Sequence, residues 1–539
     1  MLAKTNTILN NRRLLLIGVV MLLILGLFFR VYNFQAWLHF GNDQTRDAFL
    51  IENVVKNNAP WPLIGSSMGN TGFLLGPAYY YFQIISVKLF GIGPEKLAYP
   101  DLLFNLLAIP LLYFLLKRFF SKNLALSLTG LYGLSYYAIE YSRFAWNPNP
   151  IPFFVMLFLL SLWEFLISAE KTKWHWVILL GIATGIGSQL HAILLLVMVG
   201  VLGVVFIFLM KKSWRTWSRW LLIFLIVIIA NAGQIIYEKQ NNFKNSRLFL
   251  ASFADKSGNG GNKRFFRNLQ LNVACNAQAN SHIISSLGNK ENCDFLYSKA
   301  RNVRPGAKLQ LPNNPLSLLA ILVSLCFSVF GYATLAVGIK NEKDKKRKYF
   351  AGIILLYAAI SFAVMLPIID QAPLRYFIHL TFLPFIFLGL LAETLKNKVG
   401  QKYLLLMVAI FMLIIGTNLF SIFGEAQALA NKTRADSGYL VLDETQPLAD
   451  FMVVQAQGKK QALLFGGKRY YSPYNKALIY LAAQKGLTLK RGIELENFPA
   501  DTPVFYVGAG FEDSAINEVA GIKFLKQLTV GQIGIYQLQ

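Results

Sequence analysis

The chain has 539 residues, 55% hydrophobic and only 15% charged, with a mean hydropathy of +0.45. Soluble domains carry about 25% charge, so the composition excludes a soluble enzyme, and the regular polar interruptions exclude a fibre or a disordered chain. A net charge of +25 on a soluble protein would suggest nucleic acid; here the basic residues sort by membrane side, and no nucleic-acid partner is expected.

A membrane-crossing helix takes about 20 mostly apolar residues. Such stretches run over 14–32, 97–117, 124–140, 150–168, 174–189, 191–210, 218–237, 315–339, 350–369, 376–395 and 403–423, about eleven in all. The first follows Lys4, Arg12 and Arg13 and is not followed by a small-residue cleavage site, so it reads as an uncleaved anchor. One set of short loops carries most of the Lys and Arg: 117–122, 171–173, 211–219, 340–348 and 396–402. Basic loops face the cytoplasm, which puts the N-terminus inside and 33–96, 238–314 and everything after 424 outside. Residues 77–92 are apolar, but a full crossing there would invert every later loop, so a short juxtamembrane or re-entrant helix is expected.

The outer segment 33–96 is ordered by its Trp, Tyr, Pro and Gly content. The segment 238–314 is polar and rich in Asn, Lys and Ser, and its Cys275 and Cys293 are expected to pair in an oxidising exterior. After 424 the charges balance, and helical patterns (446–457, 475–486, 512–521) alternate with β-like runs (461–466, 503–508, 524–530, 533–538). The expected fold is therefore a polytopic all-α membrane domain, residues 1–423, with outer juxtamembrane helices, followed by a small extracytoplasmic α/β domain, residues 424–539. The glycines 181, 185 and 187 sit in an apolar helix, where close helix packing is their reading. Three cysteines and five scattered histidines give no zinc spacing.

Three polar clusters stand at the outer ends of spans. Asp43, Arg46 and Asp47 follow the first; the carboxylates are either a hydrated helix cap or a base or cation ligand at the mouth of a cavity. Arg143, Trp146 and Asn147 follow the third, where Arg143 is either an interfacial anchor or a phosphate contact. Arg375 and Tyr376 begin an apolar stretch, where the arginine either pairs with Asp370 or meets an anion. His191 lies at a tight hairpin and is either structural or part of the same surface, and Tyr79–Tyr81 lie near the lipid boundary. A lipid-linked phosphosugar matches this set: tail in the bilayer, phosphate against arginine, sugar beside a carboxylate.

In order and spacing, Asp43-Gln44-Thr45-Arg46-Asp47, Leu75-Gly76-Pro77-Ala78-Tyr79-Tyr80-Tyr81, Tyr141-Ser142-Arg143-Phe144-Ala145-Trp146-Asn147 and Arg375-Tyr376-Phe377 resemble the membrane-embedded, polyprenyl-phosphate-sugar-dependent glycosyltransferases. These are the protein O-mannosyltransferase-like and lipid A aminoarabinose transferase-like enzymes and their bacterial lipopolysaccharide glycosyltransferase relatives. The resemblance implies inverting transfer of a sugar from a polyprenyl-phosphate donor to a hydroxyl of a lipid, glycan or protein acceptor, on the outer face of a bacterial-type inner membrane. It implies Asp43 as catalytic base; the polar clusters themselves set Asp47 beside it as a second catalytic candidate and offer Arg46, Tyr80, Tyr81, Arg143, Asn147, His191, Arg375 and Tyr376 as substrate contacts. Relatives carry a second acid after the third span; here Asn147 or Asn149 stands near that place, which leaves open whether a divalent cation binds at Asp43. A transporter or flippase for a lipid-linked or amphipathic solute is the alternative function, and a scaffold for the outer domain a third.

Overall fold

The computed structural model describes residues 12–68, 72–212, 214–257, 261–286, 315–369, 373–433, 439–466, 468–491, 501–509, 518–519 and 522–538. Its first part is a helical bundle. In chain order the helices are α1 (Arg12–Val31), α2 (Asn42–Val55), α3 (Ala78–Phe90), α4 (Pro94–Leu116), α5 (Lys122–Leu134), α6 (Tyr136–Glu140), α7 (Ile151–Ser168), α8 (Trp174–Leu190), α9 (Ala192–Lys212), α10 (Trp217–Ala230), α11 (Ala232–Gln240), α12 (Lys244–Ser257), α13 (Gly261–Ser285), α14 (Pro315–Asn341), α15 (Lys345–Met365), α16 (Leu383–Val399) and α17 (Tyr403–Ala430).

Each expected span overlaps a helix, but several are broken or short. By length and composition, six stretches among the described residues could cross a membrane, or seven if α10 and α11, bent by 60°, form one span. The stretch expected over 124–140 breaks at Ser135, whose hydroxyl accepts from the Ala138 amide and starts α6 afresh. The stretch expected from 376 begins instead at Leu383, where a proline occupies the first helical turn and needs no amide partner there; a 3₁₀ helix over Leu374–Leu380 precedes it. α3 has 13 residues, about 20 Å at 1.5 Å per residue, too short to cross.

Close approaches rest on glycine. A Cβ on Gly185 would stand 2.7 Å from the Ala230 Cβ, where α8 crosses α10, and one on Gly26 would stand 2.1 Å from the Gly133 carbonyl oxygen, where α1 crosses α5. Arg30, fully buried, donates to that same carbonyl and to Gly26.

The polar stretch 238–314 contains an element its composition hid. α13 is buried along its second half, and its inward stripe is made of asparagines four residues apart. Asn268 donates to the Leu366 carbonyl at 3.0 Å and Asn272 to the Phe362 carbonyl at 2.8 Å. Asn280 donates to Asn276 and to the Ser328 hydroxyl, and the Tyr332 hydroxyl donates to Asn276. The side-chain N–H groups thus find acceptors, which lowers the cost of burying them, while the Oδ1 atoms of Asn268, Asn272 and Asn280 have no partner among the described residues. Cys275 on this helix is disulfide-bonded; Cys293, its expected partner, lies outside the described residues.

The C-terminal domain is α/β. Strands β1 (Gln461–Gly466), β2 (Thr488–Arg491), β3 (Val504–Ala509), β4 (Glu518–Val519), β5 (Ile522–Val530) and β6 (Ile533–Leu538) form one sheet in the order β2-β1-β3-β6-β5-β4. The β1 pairings are parallel and the remainder antiparallel. α18 (Leu442–Gln455) and α19 (Lys468–Gln484) pack with the sheet. Of the helix expected over 512–521, 518 and 519 form a strand; the other residues lie outside the described ones. The domain is seated on the bundle. Phe40 N–H donates to the Leu440 carbonyl, Leu442 N–H to Leu38, and Asp443 N–H to Ala36. Tyr480 of α19 packs between Phe40 and Phe49, and Gln484 donates to Glu52. The helix that begins at Asn42 is thus gripped from outside the bundle.

Candidate active site

A cavity of about 270 Å³ lies where α2, the 140–146 segment, the 3₁₀ helix and the strap leading into α18 converge; His39, Asp43, Glu140, Trp146, Arg375 and Tyr439 line it. Asp43 sits in the first turn of α2, where the helix dipole favours a carboxylate. Its side chain is 60% exposed and pairs with Arg46 at 3.0 Å. Arg46 also donates to Asp47 at 2.8–2.9 Å, and the Tyr80 hydroxyl donates to the same Asp47 oxygen at 3.0 Å. Asp47 faces inward and is buried. Asp43 is therefore the carboxylate open to a substrate, and Asp47 holds Arg46 behind it.

Burial pushes the Asp47 carboxyl up to about 6, although Arg46 and Tyr80 oppose the shift. For Arg46, burial opposes the charge, but Asp47, Tyr80 and Asp43 outweigh it and its pKa rises. Two consequences of opposite sign follow. A carboxyl with a raised folded pKa binds more protons folded than unfolded, so its contribution to stability falls as pH rises from about 4 to about 6. The charged pair that holds Arg46 forms only as pH rises through about 6. Turnover is expected to drop below about pH 6 while the melting temperature does not drop with it. Asp47→Asn should flatten that acid limb; an unchanged limb would show that another group sets it.

The 141–149 segment is held from below. Asn105 on α4 donates to the Asn149 and Tyr141 carbonyls, and Asn149 donates to Phe144. Asp101, one turn before Asn105 and wholly buried, accepts from the Tyr79 hydroxyl at 2.9 Å. Gln44 ties the start of α2 to the 141–149 segment, accepting from Gly41 N–H and donating to the Ala145 carbonyl. The result fixes Trp146, over whose ring the Arg375 guanidinium lies, its carbon 5.5 Å from the ring centre. Among the described residues Arg375 has no ion-pair partner; Asp370 lies outside them. It sits in a 3₁₀ helix of seven residues, not at the start of a long helix, so its own charge, and no helix dipole, faces the cavity.

His191 connects α8 and α9 and packs edge-to-face on Tyr376 at 5.1 Å. Its Nδ1 accepts from the Ile193 amide at 3.2 Å, which leaves the proton on Nε2. Burial and the neighbouring Arg375 lower its pKa to about 4, so it is neutral there. Three expected contacts have structural partners instead. Tyr81 donates to the Pro62 carbonyl, Asn147 to the Leu190 carbonyl, and Arg143 to Phe29 and Tyr32 at 2.5 and 2.7 Å, where it satisfies carbonyls at the end of α1. Glu140, His39 and Tyr439 had no role assigned from the sequence. Glu140 reaches the cavity because α6 redirects the chain, and Tyr439, from the strap, stacks on His39 at 4.2 Å.

The donor set does not suit a divalent cation. Hard cations take about six oxygen ligands; among the described residues no three His, Cys, Asp or Glu side chains come together, and Asp43 is engaged by Arg46.

Residues 75–237 match the family model described as dolichyl-phosphate-mannose-protein mannosyltransferase. No curated protein matches the chain. Among solved structures, ArnT from Cupriavidus metallidurans in the apo state is similar over 96% of this chain and 97% of its own, at 12% identity and a TM-score of 0.53. The same protein bound to undecaprenyl phosphate is similar over 97% of each chain, at 12% identity and a TM-score of 0.51. The Archaeoglobus fulgidus oligosaccharyltransferase in the apo form is similar over 93% of this chain and 70% of its own, at 13% identity and a TM-score of 0.51. The family match bears out the resemblance read from the sequence, and the solved structures bear out the fold.

Proposed function

We propose that this protein is a membrane glycosyltransferase that moves a sugar from a polyprenyl-phosphate donor to an acceptor hydroxyl, with inversion, on the outer face of a bacterial-type inner membrane. The observation that carries the reading is one cavity, at one end of an apolar bundle, holding an exposed carboxylate, Asp43, and an arginine, Arg375, with no ion-pair partner among the described residues. The family match over α3–α11 supports the reaction class, and the undecaprenyl phosphate bound by an ArnT of the same fold supports the donor class.

In a single displacement the acceptor oxygen attacks the anomeric carbon and its proton passes to Asp43. The bond from that carbon to the phosphate oxygen breaks, and the phosphate leaves with the electron pair, its added charge facing Arg375. The same carboxylate, before it takes the proton, offsets positive charge developing at the anomeric carbon. The neutral His191, bearing its proton on Nε2, is a second donor near the phosphate position. Transfer from synthetic polyprenyl-phosphate sugars to a panel of hydroxyl acceptors tests the reading; solute uptake without transfer would move the protein to the transporter class.

The orientation, with residues 1–423 in the membrane and 424–539 outside, is supported by the distribution of Lys and Arg. Reporter fusions after 122, 215 and 345 are expected to report cytoplasm and a fusion after 430 the exterior. An exterior signal at 345 would invert the assignment.

A further inference from the structure

Asp101 is an acid that the proposed reaction does not use. It lies near the start of α4, a helix long and apolar enough to cross a membrane. It is fully buried and does not line the cavity. An ionisable side chain is costly in such a helix and is kept where function needs it. The Tyr79 hydroxyl donates to its Oδ2 at 2.9 Å. Its Oδ1 has no direct hydrogen-bond partner among the described residues, and the Trp146 N–H and the Asn149 side chain stand beside the carboxyl. One turn along α4, Asn105 donates to the Tyr141 and Asn149 carbonyls. Asp101 therefore backs the segment that carries Trp146.

We propose that Asp101, held by Tyr79, is a positioning residue for the donor: it sets the place of Trp146, and through the indole that of Arg375, and so raises affinity for the donor phosphate without touching the substrate. The inference rests on the transfer reading above, which puts that phosphate at Arg375. In a low-dielectric interior an N–H dipole is drawn strongly to a carboxyl group, so the Trp146 backbone is held towards α4. The ring on that backbone lies under the Arg375 guanidinium, whose carbon is 5.5 Å from the ring centre. An arginine loses side-chain freedom when it meets a phosphate, and a fixed ring beneath it removes part of that cost beforehand. Adjacent residues of α3 thus serve two arms. Tyr80 donates to Asp47, which holds Arg46 beside Asp43. Tyr79 donates to Asp101, which stands behind Trp146 and Arg375. The proposed base and the proposed phosphate contact are held from one helix through groups that share no residue.

The test uses the full chain in phosphatidylcholine nanodiscs and farnesyl phosphate, a short polyprenyl phosphate, as binding probe. Tyr79→Phe combined with Asp101→Leu removes both partners of the buried hydrogen bond and leaves neither unsatisfied, so the melting temperature should stay near wild type. The double variant is expected to bind the probe about threefold to tenfold more weakly, the equivalent of one hydrogen bond. That loss should vanish in an Arg375→Gln background, because residues that act through one another are not additive. Wild-type affinity in the double variant, or the same loss with and without Arg375, overturns the proposal. Tyr80→Phe is expected to leave probe affinity near wild type; a loss equal to that of the double variant would assign the effect to α3 as a whole and also overturns it. Tyr79→Phe alone, in the same cycle with Arg375→Gln, carries the test if the double variant does not fold. The transfer reading fails separately. If Arg375→Gln binds the probe like wild type, the phosphate assignment falls and the proposal with it; if Arg375→Gln weakens binding and the Tyr79 and Asp101 changes do not, only the proposal falls.

Discussion

Asp43→Asn is expected to lower sugar transfer on the order of 10²-fold or more, the usual loss when a general base is removed, with the protein folded and inserted. The substitution keeps the shape and removes both the proton acceptor and the charge. Its structural cost is small: an exposed ion pair such as Asp43–Arg46 contributes about 0–1 kcal/mol, the carboxylate's interaction with the helix dipole about 0.3–1 kcal/mol, and Arg46 keeps its second partner, the buried Asp47. Loss of activity far beyond this small loss of stability, with donor binding unchanged, therefore points to the chemical step. Glu140 is the internal control, because it lines the same cavity. Wild-type transfer by Asp43→Asn together with an inactive Glu140→Gln would move the base to Glu140. Wild-type transfer by both would remove the proposed mechanism.

Asp43 was legible in the sequence because a run of charged residues directly after an apolar span must be solvated, paired or used. What that run could not say was which carboxylate faces out. In a helix, residues four apart share a face only approximately, and tertiary contacts decide: Tyr80 and Arg46 turn Asp47 inward while Asp43 stays at the mouth. The tyrosines 79, 80 and 81 make the same point. Successive positions on α3 point in different directions, so their hydroxyls reach Asp101, Asp47 and the Pro62 carbonyl respectively, and of the three only Tyr80 touches the Asp43–Arg46–Asp47 cluster. Tyr439 carried no local signal, since its place depends on backbone pairing between 36–40 and 440–443, some 400 residues apart in sequence. The asparagine stripe of α13 was misleading in a different way: a polar composition reads as a solvated loop unless the facing helices supply the acceptors, and those acceptors, the Phe362 and Leu366 carbonyls, lie about 100 residues further on.

Arg143 and Arg375, alike in the sequence, are expected to separate on mutation. Arg143 spends its guanidinium on two backbone carbonyls at the end of α1, so Arg143→Gln leaves a helix end unsatisfied and should lower stability by about 1–3 kcal/mol with donor affinity near wild type. Arg375 has no such commitment among the described residues; its guanidinium carbon lies 5.5 Å from the centre of the Trp146 ring, and the side chain lines the cavity. A hydrogen bond to a charged group contributes about 1.5–3 kcal/mol, and each 1.4 kcal/mol is about tenfold in affinity, so Arg375→Gln should weaken polyprenyl-phosphate-sugar binding by roughly tenfold to a hundredfold, with the acceptor KM little changed. Arg375→Lys keeps the charge but loses the planar fork that matches two phosphate oxygens, so it should fall between wild type and Gln. The discriminating measurement is donor binding against thermal stability for each variant. Equal loss of donor affinity in Arg143→Gln and Arg375→Gln would mean that the phosphate spans both sides of the cavity, and undiminished donor affinity in Arg375→Gln would place the leaving group elsewhere.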